Sequence, residues 1–139
     1  MSTPITKKKP TLAIGKRKTA KARVAVIEGK GRVRINNVPV KFHEPAMARE
    51  MIMEPILIAG DVASKVDISI RLEGGGSLSQ AEAARMGIAQ GLVKYTKSKR
   101  LKSTFIEHDR TMISGDARRK EPKKFGGPSA RTRKQKSYR

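Results

Sequence analysis

Between Lys65 and Glu73 polar and apolar residues alternate without a break, with Val66, Ile68, Ile70 and Leu72 on one side and Asp67, Ser69 and Arg71 on the other. A period of two is that of a strand with one buried and one wet face, because successive side chains leave the backbone in opposite directions. The strand runs straight into Gly74-Gly75-Gly76-Ser77, where the period changes. Ala81, Ala84, Ile88, Leu92 and Tyr95 then share one helical face, and Ser79 to Glu82 has the capping-box form S-x-x-E that opens a helix. That helix is expected to end near Lys97, with cations in its last turn suiting its dipole.

The remaining elements are read outward from this unit. Residues 11–14 and 20–27 are apolar and β-branched enough for two strands, with Gly15-Lys16-Arg17-Lys18 between them. After Gly29-Lys30-Gly31, glycines that suit a tight hairpin, Val33 and Ile35 alternate with Arg32 and Arg34 as a third strand with cations on its open face. The expected arrangement is a three-stranded antiparallel meander, closed by Asn36-Asn37. Pro45 is placed like a first-turn proline for a short helix through Ala46, Met47, Met51 and Ile52, which Pro55 should stop. Those methionines fall at helical spacing and read as core filler rather than ligands. Residues 101–106 add a further helical turn or two, and irregular chain is expected from Asp116 onward. The fold class is α+β, a two-layer, mostly antiparallel four-stranded sheet with helices on one face, over residues 11–108; residues 1–10 form a basic disordered arm and residues 109–139 an extended basic tail.

Charge points to the partner. The chain of 139 residues has a formal net charge of +20 and a pI near 10.9. Residues 1–23 hold eight basic side chains and no acid, residues 24–100 hold twelve basic and eight acidic, and residues 101–139 hold twelve basic and four acidic. A nearly balanced middle can fold while both ends seek a polyanion. The last stretch, GGPSARTRKQKSYR, has no acid and little that could enter a core. Roughly thirty tail residues at about 3.3 Å each could reach on the order of 100 Å. With aromatics at 4% of the chain, backbone and shape contacts to RNA are expected, not base stacking.

Other chemistries find little support. There is no cysteine, hence no disulfide, thiolate nucleophile or cysteine metal site, and no apolar run approaches a membrane span. A soluble, intracellular protein is expected. His43-Glu44 and His108-Asp109 each set an imidazole beside a carboxylate, but neighbours in sequence point apart, and no nucleophile or metal ligand stands at a recognisable spacing. Gly74, Gly75, Gly76 and Ser77 are candidates for a phosphate loop at a helix start, or simply for a glycine turn that packs strand on helix. They lack the Lys-Ser/Thr ending of a nucleotide-binding loop. The basic cluster Lys16, Arg17, Lys18, Lys21 and Arg23 is expected at one end of the sheet, where it could neutralise RNA phosphates.

The pieces GKRKTAKARV from Gly15, Ile35-Asn36, GGGSLSQAEAARMGIAQGLV from Gly74, DARRKEPKKFG from Asp116 and the terminal SYR, in this order, resemble the universal small-subunit ribosomal protein nine family. The ending Ser137-Tyr138-Arg139 after KKFGGPSAR resembles the archaeal and eukaryotic branch, and the short N-terminal arm is more similar to archaeal members. The resemblance implies a sheet with helices on one face like the second domain of ribosomal protein five. It also implies a cytoplasmic place in the head of the small subunit, on the 3′ domain of its rRNA and beside neighbouring head proteins, with the tail reaching peptidyl-site tRNA. Carried onto this chain, rRNA contacts extend to Arg118, Arg119, Lys120, Lys123 and Lys124, and tRNA contacts fall to Arg133, Lys134, Lys136, Ser137, Tyr138 and Arg139. Arg139 is expected on phosphate near the anticodon, where a guanidinium fork can grip any tRNA without reading a base. Tyr138 stands where bacterial members carry lysine, and could stack, hydrogen-bond or only extend the chain.

The expected function is therefore that of a structural ribosomal protein, not an enzyme, with no cofactor, metal, membrane or small-molecule substrate. A free-standing basic RNA chaperone or nucleoid protein shares the charge but predicts diffuse binding. A phosphate-transfer enzyme built on the Gly74 to Ser77 loop predicts saturable nucleotide binding.

Overall fold

The computed structural model describes residues 9–138. Five strands, β1 (Thr11–Arg17), β2 (Ala20–Glu28), β3 (Val33–Ile35), β4 (Val38–Pro39) and β5 (Val66–Glu73), form one sheet in the order β1-β2-β5-β3-β4, antiparallel except where β3 runs parallel to β5. The helices are α1 (Ala46–Ala59), α2 (Asp61–Ser64), α3 (Ser77–Thr96), α4 (Lys99–His108) and α5 (Thr111–Ser114). The α+β class and the single helical face agree with expectation.

The inward residues of β5 are those the alternation selects. Val66, Ile68, Ile70 and Leu72 are all buried, and the register sets Val26 against Ile68, Val24 against Ile70 and Ala22 against Leu72. Helix α3 lies across β1 and β2, with Gly87 against Val24 and Gly91 against Val26 and Ala13, and the expected Ala81, Ala84, Ile88 and Leu92 are buried, with Tyr95 partly buried at the margin. The approach is close because both surfaces are small. A Cβ on Gly15 would overlap the carbonyl oxygen of Ala83 and stand 2.7 Å from the amide of Gly87, so no larger residue fits there without moving the helix. Flanked by α1 and α5 as well, α3 also buries Ala83, Met86 and Ala89.

Several expectations change. The meander is not formed, because β5 inserts between β2 and β3. Gly29 and Gly31 do not close a hairpin; their amides donate to the carbonyls of Lys65 and Val66 (2.9 and 3.1 Å), while Asp67 Oδ1 accepts from the amides of Lys30 (2.8 Å) and Arg32 (2.9 Å). The strand with the strictest alternation thereby takes the centre of the sheet. The fifth strand arises because Asn36-Asn37 does more than end β3. Both residues have positive φ (47° and 70°), the two-residue primed turn that returns the chain as β4.

Pro55 does not stop α1, which continues to Ala59. Proline forfeits one helical hydrogen bond, but its φ is helical, and Ile52, Pro55 and Ala59 are buried together as an inward face. Pro45 stands just before the helix as its N-cap residue instead of in the first turn. Helix α3 starts at Ser77, so Ser79 lies inside it, and the cap position is Gly76 with no side-chain cap. Strand β1 includes Gly15, Lys16 and Arg17, leaving only Lys18-Thr19 as its turn. The helical turns expected near 101–106 lengthen to α4, capped by Ser98 Oγ, which accepts from the Leu101 amide at 3.3 Å. Beyond it Met112 of α5 is fully buried.

Candidate nucleic-acid interface

Strand alternation presents one set of side chains away from the helices. The register aligns Ile14, Arg23 and Arg71 across β1, β2 and β5, aligns Lys16, Lys21 and Glu73 beside them, and places Leu12, Ala25, Ser69 and Arg34 in a third row that reaches β3. The cations of this open face, Lys16, Lys21, Arg23, Arg34 and Arg71, are all exposed. Glu73 is the carboxylate among them, 3.3 Å from Arg71 Nε and 3.9 Å from Arg23 Nη2, with the two arginine side chains 74% and 62% exposed. Such exposed pairs bind weakly, so these guanidinium groups keep most of their donors for an anion. Lys16 faces Lys21 directly, a like-charge pair that a phosphate between them would relieve. The other acid on this face, Asp67, is occupied by the Lys30 and Arg32 amides, which hold its carboxyl below the usual carboxylate range despite some burial.

At the end of the sheet the β1–β2 turn meets the glycine run. Lys18 is left-handed (φ 53°), as are Gly74 (φ 71°) and Gly75 (φ 70°), and a Cβ on Gly74 would stand 2.8 Å from the Thr19 carbonyl oxygen. These two glycines are thus required for packing. Gly76 differs, since nothing lies within 4 Å of where its Cβ would be. The helix that follows has no side-chain cap and no acid in its first turn, and Ser77 is exposed. The positive end of the α3 dipole opens beside Lys18 and Lys21, a setting suited to phosphate.

Arg17 points the other way. Its side chain is only 12% exposed and pairs with Glu82 and, through Nη1 at 3.1 Å, with Asp116 Oδ2. Asp116 also accepts from the Arg118 guanidinium (2.6 Å) and the Arg118 amide (2.9 Å), bonds that hold its carboxyl far below the usual range. Arg119 donates to the Lys18 carbonyl. The root of the tail is in this way clasped to the same turn that carries the basic cluster. Past it Lys120, Lys123, Lys124, Arg133, Lys134 and Lys136 are exposed, and Arg131 grips Glu121 (2.7 Å and 2.9 Å), closing a loop within the tail. Gln135 donates to the Ser137 carbonyl, and Tyr138 is exposed. Arg139 and residues 1–8 of the expected arm lie outside the described residues.

The structure therefore brings Lys16, Lys18, Lys21, Arg23, the Gly74 to Ser77 turn, Arg118 and Arg119 to one end of the molecule. Arg71 joins the open face unselected by sequence reasoning, and Arg34, expected on the open face of its strand, was not assigned to RNA; only the strand order sets Arg71 beside Arg23 and Arg34 in the next row. The histidines stand apart. His108 contacts Glu54, which also holds Arg85, and Arg85 in turn pairs with Asp109 at 2.8 Å, a chain of polar contacts that ties α1, α3 and α4 together. Burial pushes the Asp109 carboxyl up, but hydrogen bonds from Thr111 and the charge of Arg85 bring it below the usual range. Among the described residues no cluster of three or more His, Cys, Asp or Glu could hold a metal ion, and no helix is long and apolar enough to cross a membrane.

A family model described as ribosomal protein S9/S16 matches residues 15–139. The chain is 53% identical over 131 residues, 94% of both chains, to the small ribosomal subunit protein uS9 of Desulfurococcus amylolyticus. It is 49% identical over 125 residues, 90% of this chain and 95% of the relative, to the uS9 protein of Methanothrix thermoacetophila. Both relatives are archaeal, within the archaeal and eukaryotic branch that the Ser-Tyr-Arg ending resembles. The matched span takes in both the basic sheet end and the tail clasped to it, and the chain belongs to the ribosomal protein S9/S16 family, whose members are structural and not enzymatic.

Proposed function

We propose that this protein is a cytoplasmic, structural component of the small ribosomal subunit that binds the 3′ head domain of its rRNA and steadies peptidyl-site tRNA with its tail. The observation that carries the reading is the open sheet face, where Lys16, Lys21, Arg23, Arg34 and Arg71 stand exposed around a single weakly paired carboxylate. Cations on a stiff sheet match a fixed run of phosphates without reading bases, as a permanent rRNA contact requires. Lys18, Gly76 and Ser77 extend the phosphate surface around the sheet end, and Arg118, Arg119, Lys120, Lys123 and Lys124 carry it onto the tail. Arg17 serves differently, positioning the tail root through Asp116. Farther out, Arg133, Lys134, Lys136, Ser137, Tyr138 and Arg139 are assigned to the tRNA.

The test is binding of the full chain to a head-domain rRNA fragment across a salt series, with the double variant Arg23→Ala/Arg71→Ala. Loss of two phosphate contacts should weaken binding and flatten the slope of log K against log salt by about 1 to 2. An unchanged slope would remove the sheet face from the interface. Equal affinity for unrelated RNAs of the same length would favour a general RNA chaperone instead.

A further inference from the structure

The open sheet face and the tail leave one basic region without a task. Residues 94–102 hold Lys94, Lys97, Lys99, Arg100 and Lys102 and no acid, an exception within the nearly balanced middle of the chain. All five are exposed, as are Lys30 and Lys65. The fold gathers these cations at one end, because α3 finishes where β2 ends and β5 begins, and there Tyr95 and Thr96 share a hollow of about 660 Å³ with Glu28, Lys30, Val62 and Lys65. This end lies opposite the β1–β2 turn, since the 20 residues of α3 separate the two by about 30 Å. The acids nearby are Glu28, Asp61 and Asp67, and Asp67 is taken up by the Lys30 and Arg32 amides. Among the described residues, none of the cations named here stands in an ion pair. The negative end of the α3 dipole falls in this region, but α4 begins at Lys99 and brings its positive end to the same place.

A run of cations alone is satisfied by water, and Tyr95 is the observation that asks for more. Its ring packs partly against the core and otherwise lines the hollow, and its hydroxyl has no hydrogen-bond partner among the described residues. An aromatic ring beside ammonium groups fits a nucleotide, because the ring takes the base by stacking while the cations take the phosphates on either side. An acidic peptide answers the lysines but not the ring and its hydroxyl together. We propose, on the reading of this chain as an rRNA binder, that this end is a second RNA site and receives one unstacked nucleotide. The base lies on Tyr95, whose hydroxyl bonds to the base edge or ribose, and the flanking phosphates lie on Lys30, Lys65, Lys97 and Lys99. The protein then bridges two separate stretches of rRNA and reads a base at one of them. This departs from the expectation of contacts without base stacking, and it does so at a single tyrosine.

Binding of the full chain to the head-domain rRNA across a salt series tests the site with two variants. Tyr95→Leu keeps an apolar side chain against the core but cannot stack, and should weaken binding about tenfold with no change in the slope of log K against log salt. Lys97→Ala/Lys99→Ala alters only exposed side chains and should flatten that slope by about 1 to 2. In small subunits assembled in cells, the photoreactive residue p-azidophenylalanine in place of Tyr95 should be joined on irradiation to one rRNA nucleotide. That nucleotide should be distant in the rRNA sequence from the one joined by the same residue in place of Lys21. Parent affinity for either variant, a protein adduct at position 95, no adduct there where position 21 forms one, or the same nucleotide at both positions would each overturn the proposal. If Arg23→Ala/Arg71→Ala weakens binding in the same assay while Tyr95→Leu and the lysine pair do not, the rRNA reading stands and only the second site falls. If none of the three variants weakens binding, both fall.

Discussion

Gly15 shows how one residue constrains the whole two-layer packing. Its missing Cβ lets the backbone of β1 touch that of α3 at Ala83 and Gly87, and both obstacles are main chain, which cannot rotate aside as a side chain would. Gly15→Ala should therefore push the helix off the sheet at a cost of about 1–3 kcal/mol, the range for an overfilled core. Thermal unfolding of the full chain would register this as a midpoint lowered by several degrees, and an unchanged midpoint would contradict the close approach. Gly76→Ala is the internal control, as open space surrounds its position and its φ is not left-handed. Sequence reading placed Gly15 in a turn, because a glycine beside Lys16-Arg17-Lys18 looks like loop composition. Only the facing Gly87, on an element far along the chain, gives it a packing reason.

At the scale of elements, what the sequence made legible were the segments whose pattern is local. β5 and α3 follow from their own periods, and Ile70 and Ile88 are buried as those periods require. The parallel pairing of β3 with β5 was illegible because the contacts that hold it, the backbone bonds of Gly29, Gly31 and Asn36 to Lys65, Val66 and Ile70 and those of Asp67 to the Lys30 and Arg32 amides, join residues with no shared local pattern. Arg17 was illegible for the same reason, its partner Asp116 lying at the root of the tail. That clasp carries a prediction of its own. Asp116→Ala removes the acceptor shared by Arg17 and Arg118, frees the tail root from the β1–β2 turn and buries no new group, so the body should stay folded. Trypsin should then cut after Arg118, Arg119 and Lys120 several-fold faster than in the parent chain, with the cleavage rate elsewhere unchanged. Equal rates would mean that Arg119 and the Lys18 carbonyl suffice to hold the root.

For the whole molecule, burial and exposed charge occupy different parts of the chain, as the proposed division between assembly and tRNA contact requires. The buried side chains end at Met112, and Lys120, Lys123, Lys124, Arg133, Lys134 and Lys136 beyond it are all exposed, so the tail can be shortened without opening the core. The clasp at Asp116 lies between the two regions and belongs to the body, which means that a deletion starting at Ser137 leaves the exit direction of the tail unchanged. Subunits carrying a chain that lacks residues 137–139 should accordingly contain this protein and its neighbours in normal proportion. Their peptidyl site should hold tRNA about tenfold less tightly, the consequence of losing roughly one charge-assisted contact to phosphate. Filter binding of deacylated tRNA to programmed subunits measures the second effect and mass spectrometry of the same subunits the first. A truncated chain that fails to assemble would place rRNA anchoring in the last three residues, and one that assembles with undiminished tRNA affinity would move the tRNA contact inward to Arg133, Lys134 and Lys136.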